Sequence, residues 1–335
     1  MRRSFSFSSL LVGLALLGGS ACAHAGSAKS FEAPASGASA TQASSAAAAQ
    51  SSTFIQVEGA DLKAKLDAAA SRARSTRTPY WSAYAFDVRP GVAVDPGMGE
   101  FHGSMNTSGG TTVFVGSSNG MTVETRNLAV FLLRDGAGGG AITRMEIYNL
   151  ERKREYGGFP VYWLGRAGNE ESLNYLRGLA EATPAPTSTT NAGLLNQHAT
   201  LAVALHDDAR VGALLKQFAG SSRQPKVRST AVYWLGQIGG ETEFLAGIVR
   251  NNGESKDVRR QAAHAIGESR DRAALSTLQS LYDGVTERDV KRGIIHAVAG
   301  NENKDAALSF LLKVAKTDTD KESRRTAVHA IGDEG

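Results

Sequence analysis

The chain has 335 residues, 41% of them apolar and 21% charged, with a formal net charge of +4. This is a folded protein's composition, in a chain long enough for two folded parts. Two of the positive charges, Arg2 and Arg3, lie in a leader, and the small remainder excludes the concentrated basic face of a nucleic-acid-binding protein.

Residues 1–25 read as a signal peptide. Arg2 and Arg3 supply the positive end, and Leu10 to Leu17 an apolar core shorter than a bilayer-spanning helix needs. Ala23-His24-Ala25 forms a small-x-small cleavage site. Export to the periplasm or the extracellular space is expected, and no later stretch is apolar enough for a transmembrane helix. Cys22 is the only cysteine. The alternative is a lipoprotein anchored through Cys22, although Gly19 stands where such leaders usually carry Leu. Residues 26–52 are Ala and Ser with few large apolar groups. Such a stretch cannot offset the entropy of ordering and reads as a disordered tether.

Residues 53–158 read as a small α+β module with an antiparallel sheet. Asp61 to Arg77 has a helical pattern, with Leu62 and Leu66 four apart, Asp61 as its cap and Pro79 as its stop. Strands are expected at Tyr80 to Val88, Thr111 to Val115, Leu128 to Leu133 and Ile142 to Leu150. The last alternates, with Arg144, Glu146 and Tyr148 on one face and Met145, Ile147 and Asn149 on the other. A loose glycine turn around Gly138 joins the last two as a hairpin. Asp87, Asp95, Glu100 and His102 fall between the first strands. Such a set suits acid–base or metal chemistry, as in a periplasmic hydrolase or metal-dependent enzyme led by Glu100 and His102. No His-Glu-x-x-His, Gly-x-Ser-x-Gly or phosphate loop accompanies them, and acids here more often serve as turn and cap residues. No catalytic residue, metal or cofactor is assigned.

Residues 159–335 carry a repeat. Val227-Arg228, Val258-Arg259, Val290-Lys291 and Ser323-Arg324 follow one another in steps of 31, 32 and 33 residues. Ala231, Ala262 and Ala327 lie four residues on, and Leu235-Gly236, Ile266-Gly267 and Ile331-Gly332 close three of the copies. A period of this size marks a solenoid, whose units bury their apolar faces only against neighbours. Val161 to Gly165 matches Val232 to Gly236, so it is expected to be the helix of a first repeat; Leu201 to Leu205 would be a second, with His206 in the glycine place. Leu173, Leu214, Leu245, Leu275 and Leu308 mark the partner helices, and residues 183–191 form an inserted loop. About five and a half units result, the last helix unpaired, as in a fragment of a longer array. Trp163 and Trp234 are expected in the core.

These copies resemble HEAT repeats, in particular the short version labelled phycobilisome-lyase-like. The signature lies in Asp257-Val258-Arg259 and Asp289-Val290-Lys291, the Ala four beyond the Val and the closing aliphatic-Gly. The whole chain is similar to exported bacterial proteins that join a leader, an α+β module and HEAT repeats. The resemblance implies an α-solenoid in which Arg259 bridges to an acid in the adjacent repeat. A lyase activity would follow from the family label alone, and a fold does not carry a function.

The residue six beyond each Val points away from the core stripe, and is Tyr233, His264, His296 or His329. The residue two beyond flanks it: Ser229, Arg260, Arg292 or Arg325. In HEAT arrays these helices line the concave side, so a concave stripe is expected to bind a protein or peptide, acidic segments being the natural match for Arg. A shared metal is disfavoured, because adjacent helices stand about 8–10 Å apart and metal ligands lie within about 2.1 Å of the ion. The competing reading is a solvated face copied by duplication. The chain is therefore read as a non-enzymatic exported scaffold.

Overall fold

The structure, a computed structural model, describes residues 54–94, 112–114, 123–136, 140–182, 191–221, 224–269 and 271–332. The leader, Cys22, the Ala/Ser tether, Asp95, Glu100 and His102 lie outside them, as does most of the expected loop at 183–191.

The α+β module begins with β1 (Phe54–Gln56) and α1 (Leu62–Arg74). Asp61 caps α1, accepting from the Ala64 amide at 2.7 Å, while Leu62, Leu66, Ala69 and Ala73 form its buried stripe. The strands β2 (Tyr80–Ala85), β3 (Val92–Val94), β4 (Thr112–Phe114), β5 (Val123–Glu124), β6 (Leu128–Arg134), β7 (Ile142–Asn149) and β8 (Val161–Arg166) follow. The main sheet runs β1-β8-β2-β6-β7, and β4-β3-β5 forms a second, three-stranded sheet.

Two expectations change here. Val161 to Gly165 is not a repeat helix but part of strand β8. Its apolar residues alternate: Tyr162 and Leu164 join the core shared with the helices, and Val161 and Trp163 the core on the opposite face. Gly165 has φ +75, which ends the helical option at that point. The sheet is also mixed rather than antiparallel. β8 inserts between β1 and β2, parallel to both, while β2-β6 and β6-β7 are antiparallel. The sheet module therefore extends to residue 166, and the helices start at 169.

The expected alternation of β7 is observed: Met145 and Ile147 join Tyr80, Tyr84 and Leu132 on the helix-covered face. On the other face Phe54, Trp81, Phe131 and Trp163 form a second core, with Tyr148, Tyr156 and Phe159 packed on it.

Ten helices follow among the described residues: α2 (Asn169–Glu181), α3 (Asn191–Leu205), α4 (Val211–Ser221), α5 (Pro225–Ile238), α6 (Thr242–Arg250), α7 (Lys256–Glu268), α8 (Ala274–Gly284), α9 (Arg288–Ala299), α10 (Lys304–Thr317) and α11 (Lys321–Gly332). They form five pairs, with the Val-Arg helix second in each of the last four, so the expected half unit with an unpaired last helix is not observed: α11 packs on α10, which precedes it. In α7 the stripe Val258, Ala262, Ala265 and Ile266 is buried as its spacing requires. Leu173, Leu245 and Leu275 are buried on the partner helices, but Leu308 is exposed, since α10 packs through Ala307, Phe310, Leu311 and Val314. The repeat glycines explain how closely the Val-Arg helices pack. A Cβ on Gly236 would lie 2.5 Å from the Ala265 carbonyl oxygen, and one on Gly267 2.5 Å from that of Ala297. Gly220, Gly247 and Gly284 on the partner helices would meet nothing within 4 Å.

Candidate functional site

The second residue of each Val-Arg pair is structural. Arg228 of α5 donates to the Ala219 carbonyl oxygen at 3.1 Å and pairs with Glu254 ahead of α7. Arg259 of α7 donates to the Val249 carbonyl oxygen at 2.8 Å and pairs with Glu287 ahead of α9. Lys291 of α9 reaches Asp318 ahead of α11 at 3.8 Å and lies over the Tyr282 ring. Each cation thus ties its own partner helix to the turn of the next repeat, the role the resemblance implied for Arg259. The Arg259 side chain is 1% exposed.

The next residue along faces solvent. Arg260, Arg292 and Arg325 are exposed on α7, α9 and α11, and so are His264, His296 and His329. The helical period separates the two roles: a 100° step takes Arg259 into the repeat junction and Arg260 out of it. Ser229 and Tyr233 of α5 occupy the same register but are half-buried. Tyr233 packs edge-on to Trp234 with its hydroxyl buried, and burial raises its pKa. The alkyl stem of Arg260 rests on α9 at Gly293, where a Cβ would come within 3.0 Å of Arg260 Cγ.

The exposed arginines are held by i,i+3 pairs within their own helices, Arg260 to Asp257 at 2.9 Å and Arg292 to Asp289 at 3.0 Å. Exposed pairs of this kind contribute under about 1 kcal/mol, so an incoming group displaces them at small cost. His264 lies 3.0 Å from Glu268, and that hydrogen bond raises its pKa. A cleft between α9 and α11 is lined by Arg288, Asp289, Arg292, Asp320, Glu322, Ser323 and Thr326. Two guanidinium groups and three carboxylates meet there, a polar setting for an extended chain with charged side chains.

Asp87 of the alternative site is an ion-pair partner of Arg166, at 2.9 Å. Its backbone carbonyl accepts from the Asp207 amide. It thereby fastens the strand region to the turn after α3. Among the described residues no group of three His, Cys, Asp or Glu side chains could hold a metal ion, and no helix is long and apolar enough to cross a membrane.

One serine–histidine contact had no signal in the sequence beyond His206 replacing a repeat glycine. His206 Nδ1 lies 2.6 Å from the Ala202 carbonyl oxygen and so carries the proton; Nε2 then accepts from Ser172 Oγ at 2.8 Å. Ser172 Oγ also lies 3.3 Å from the Tyr84 hydroxyl, and the imidazole stacks on Phe86. Ser172 is 0% and His206 2% exposed, so no substrate reaches this pair. It joins α2 and α3 to the sheet.

Residues 242–332 match the family of HEAT repeats. The segment spans α6 to α11, the part of the array that carries the Arg/His stripe. HEAT repeats in general build helical scaffolds for protein interaction. No curated protein matches the chain.

Proposed function

We propose that the chain is an exported, non-enzymatic scaffold that binds an acidic protein or peptide segment on the layer of Val-Arg helices. The observation that carries this is the separation of roles within each repeat. Arg259 is consumed by the repeat junction, while Arg260 and His264 stand exposed one helical step away, and the pattern recurs at Arg292/His296 and Arg325/His329. A period-repeating face of exposed guanidinium and imidazole groups fits an extended segment that pairs carboxylates with guanidinium forks. Export rests on the leader and its Ala23-His24-Ala25 site.

The test is capture of binding partners by wild-type protein and by a variant carrying Arg260→Ala, His264→Ala, Arg292→Ala and His296→Ala. Loss of the captured acidic partners, with unchanged thermal unfolding, is the expected result. An identical set of partners would contradict the assignment.

A further inference from the structure

The segment between β7 and β8 crosses the sheet face opposite the helices. It carries three consecutive cations, Arg152, Lys153 and Arg154, of which Lys153 is exposed and Arg154 is drawn inward. The Arg154 guanidinium lies 4.8 Å from the ring centroid of Trp81, 5.1 Å from Phe131, 4.5 Å from Tyr148 and 5.1 Å from Tyr156. It pairs with Glu146, whose side chain is 1% exposed, while Arg144 approaches the same carboxylate from the surface.

The sheet register builds this box. Glu146 stands opposite Phe131, which stands opposite Ala83, two residues from Trp81 on the same face. Tyr148 follows Glu146 on that face of β7. Three rings and the carboxylate therefore belong to the sheet; only Tyr156 and Arg154 come from the strap. The strap has no helix or strand, and it turns at Gly157 and Gly158 with φ +67 and +76, a conformation other residues rarely adopt. A box of ring faces with a buried carboxylate at its floor suits a flat, weakly hydrated cation. A compact ammonium would gain less from the rings and retain more of its hydration cost.

We propose that this box is a recognition site for an arginine side chain on an extended segment of another protein, and that Arg154 is an internal occupant which the incoming arginine displaces. The strap acts as a tethered competitor at an effective concentration on the order of millimolar. An outside segment binds weakly until the strap lifts about its glycine pair, and the sheet-borne walls are preserved as it does so.

The experiment uses the full chain and N-acetyl-arginine amide as probe, with N-acetyl-citrulline amide as the uncharged control. Amide hydrogen exchange is followed across 150–160. The expected result is a several-fold rise in strap exchange at probe concentrations on the order of 10 mM, with no change in β2 or β6 and none with citrulline. Glu146→Gln should abolish the response. Arg154→Ala should bind the probe at least about tenfold more tightly, read through Trp fluorescence, because the competitor is gone. If strap exchange in the wild type is unaffected by the probe, or responds equally to citrulline, Arg154 is a fixed structural plug and the proposal fails. The wild-type measurement decides this even if Arg154→Ala does not fold.

Discussion

Arg259 and Arg260 are neighbours on α7 with opposite fates. Arg259 is 1% exposed and joins the Val249 carbonyl to Glu287, whereas Arg260 is 44% exposed and its guanidinium pairs with Asp257. Truncating Arg259 leaves a carboxylate and a buried carbonyl without their cation. Arg259→Ala is expected to lower unfolding stability by about 1–3 kcal/mol in a denaturant titration, because the buried carbonyl loses its donor while the 37% exposed Glu287 rehydrates, and Arg260→Ala by no more than about 0.5 kcal/mol. His206 gives a second prediction. Burial lowers its pKa from 6.5 to about 4, so the unfolded chain binds the proton more readily than the folded one. Its contribution is complete above about pH 6.5 and is lost as pH falls through about 4, an effect on the order of 3 kcal/mol. Stability curves at pH 7 and pH 4.5 should differ less in His206→Gln than in the wild type; equal differences would contradict the buried neutral imidazole. The roles of Arg259 and Arg260 were legible because a helical repeat fixes direction by spacing. The partner of His206 was not: Ser172 lies on another helix, and only the packing of α2 and α3 on the sheet brings them together.

The same five residues, Val-Tyr-Trp-Leu-Gly, form strand β8 at 161–165 and part of helix α5 at 232–236. Local sequence cannot decide between them; flanks and neighbours do. Pro225 opens α5, and Val227, Ala231, Trp234 and Leu235 give it a buried stripe at helical spacing. At 161 the preceding residues are Gly157, Gly158 and Pro160, and the open slot between β1 and β2 takes the alternating side chains. The repeat match misleads at the first copy because the alternation of Val161 to Leu164 suits a strand with both faces covered. Helix α1 and strands β2 and β7 were legible from a cap and periodicity, β6 from its apolar run and β4 from its β-branched residues. The short strands β1, β3 and β5 carry two or three residues each, too few for a period to show. For the Val-Arg layer, Gly267→Ala places a Cβ against the Ala297 backbone and should cost about 1–3 kcal/mol. Gly247→Ala on α6 meets nothing and should be neutral or stabilising by up to about 1 kcal/mol. Thermal unfolding of the two variants checks the pair; equal effects would mean that the layers do not differ in closeness.

At the scale of the whole molecule, a mixed sheet and a helical array share one continuous core. The Asp207 amide on the Asp87 carbonyl, and the Ser172–His206 pair through its contacts with Tyr84 and Phe86, join the array to the sheet. The solenoid class was legible from the 31–33-residue period, and the stripe positions from helical geometry. The aromatic box around Arg154 was not, since its rings come from three strands and a strap whose register no local pattern specifies. What remains is the use of the exposed Arg/His face. The most direct measurement is site-specific photocrosslinking in the organism of origin, with the photoreactive residue placed at His296 on the Val-Arg layer or at Lys313 on α10. The scaffold account predicts adducts to an acidic protein from position 296, reduced by Arg260→Ala with Arg325→Ala, and none from position 313. Equal adducts from both positions, or adducts from 313 alone, would contradict it.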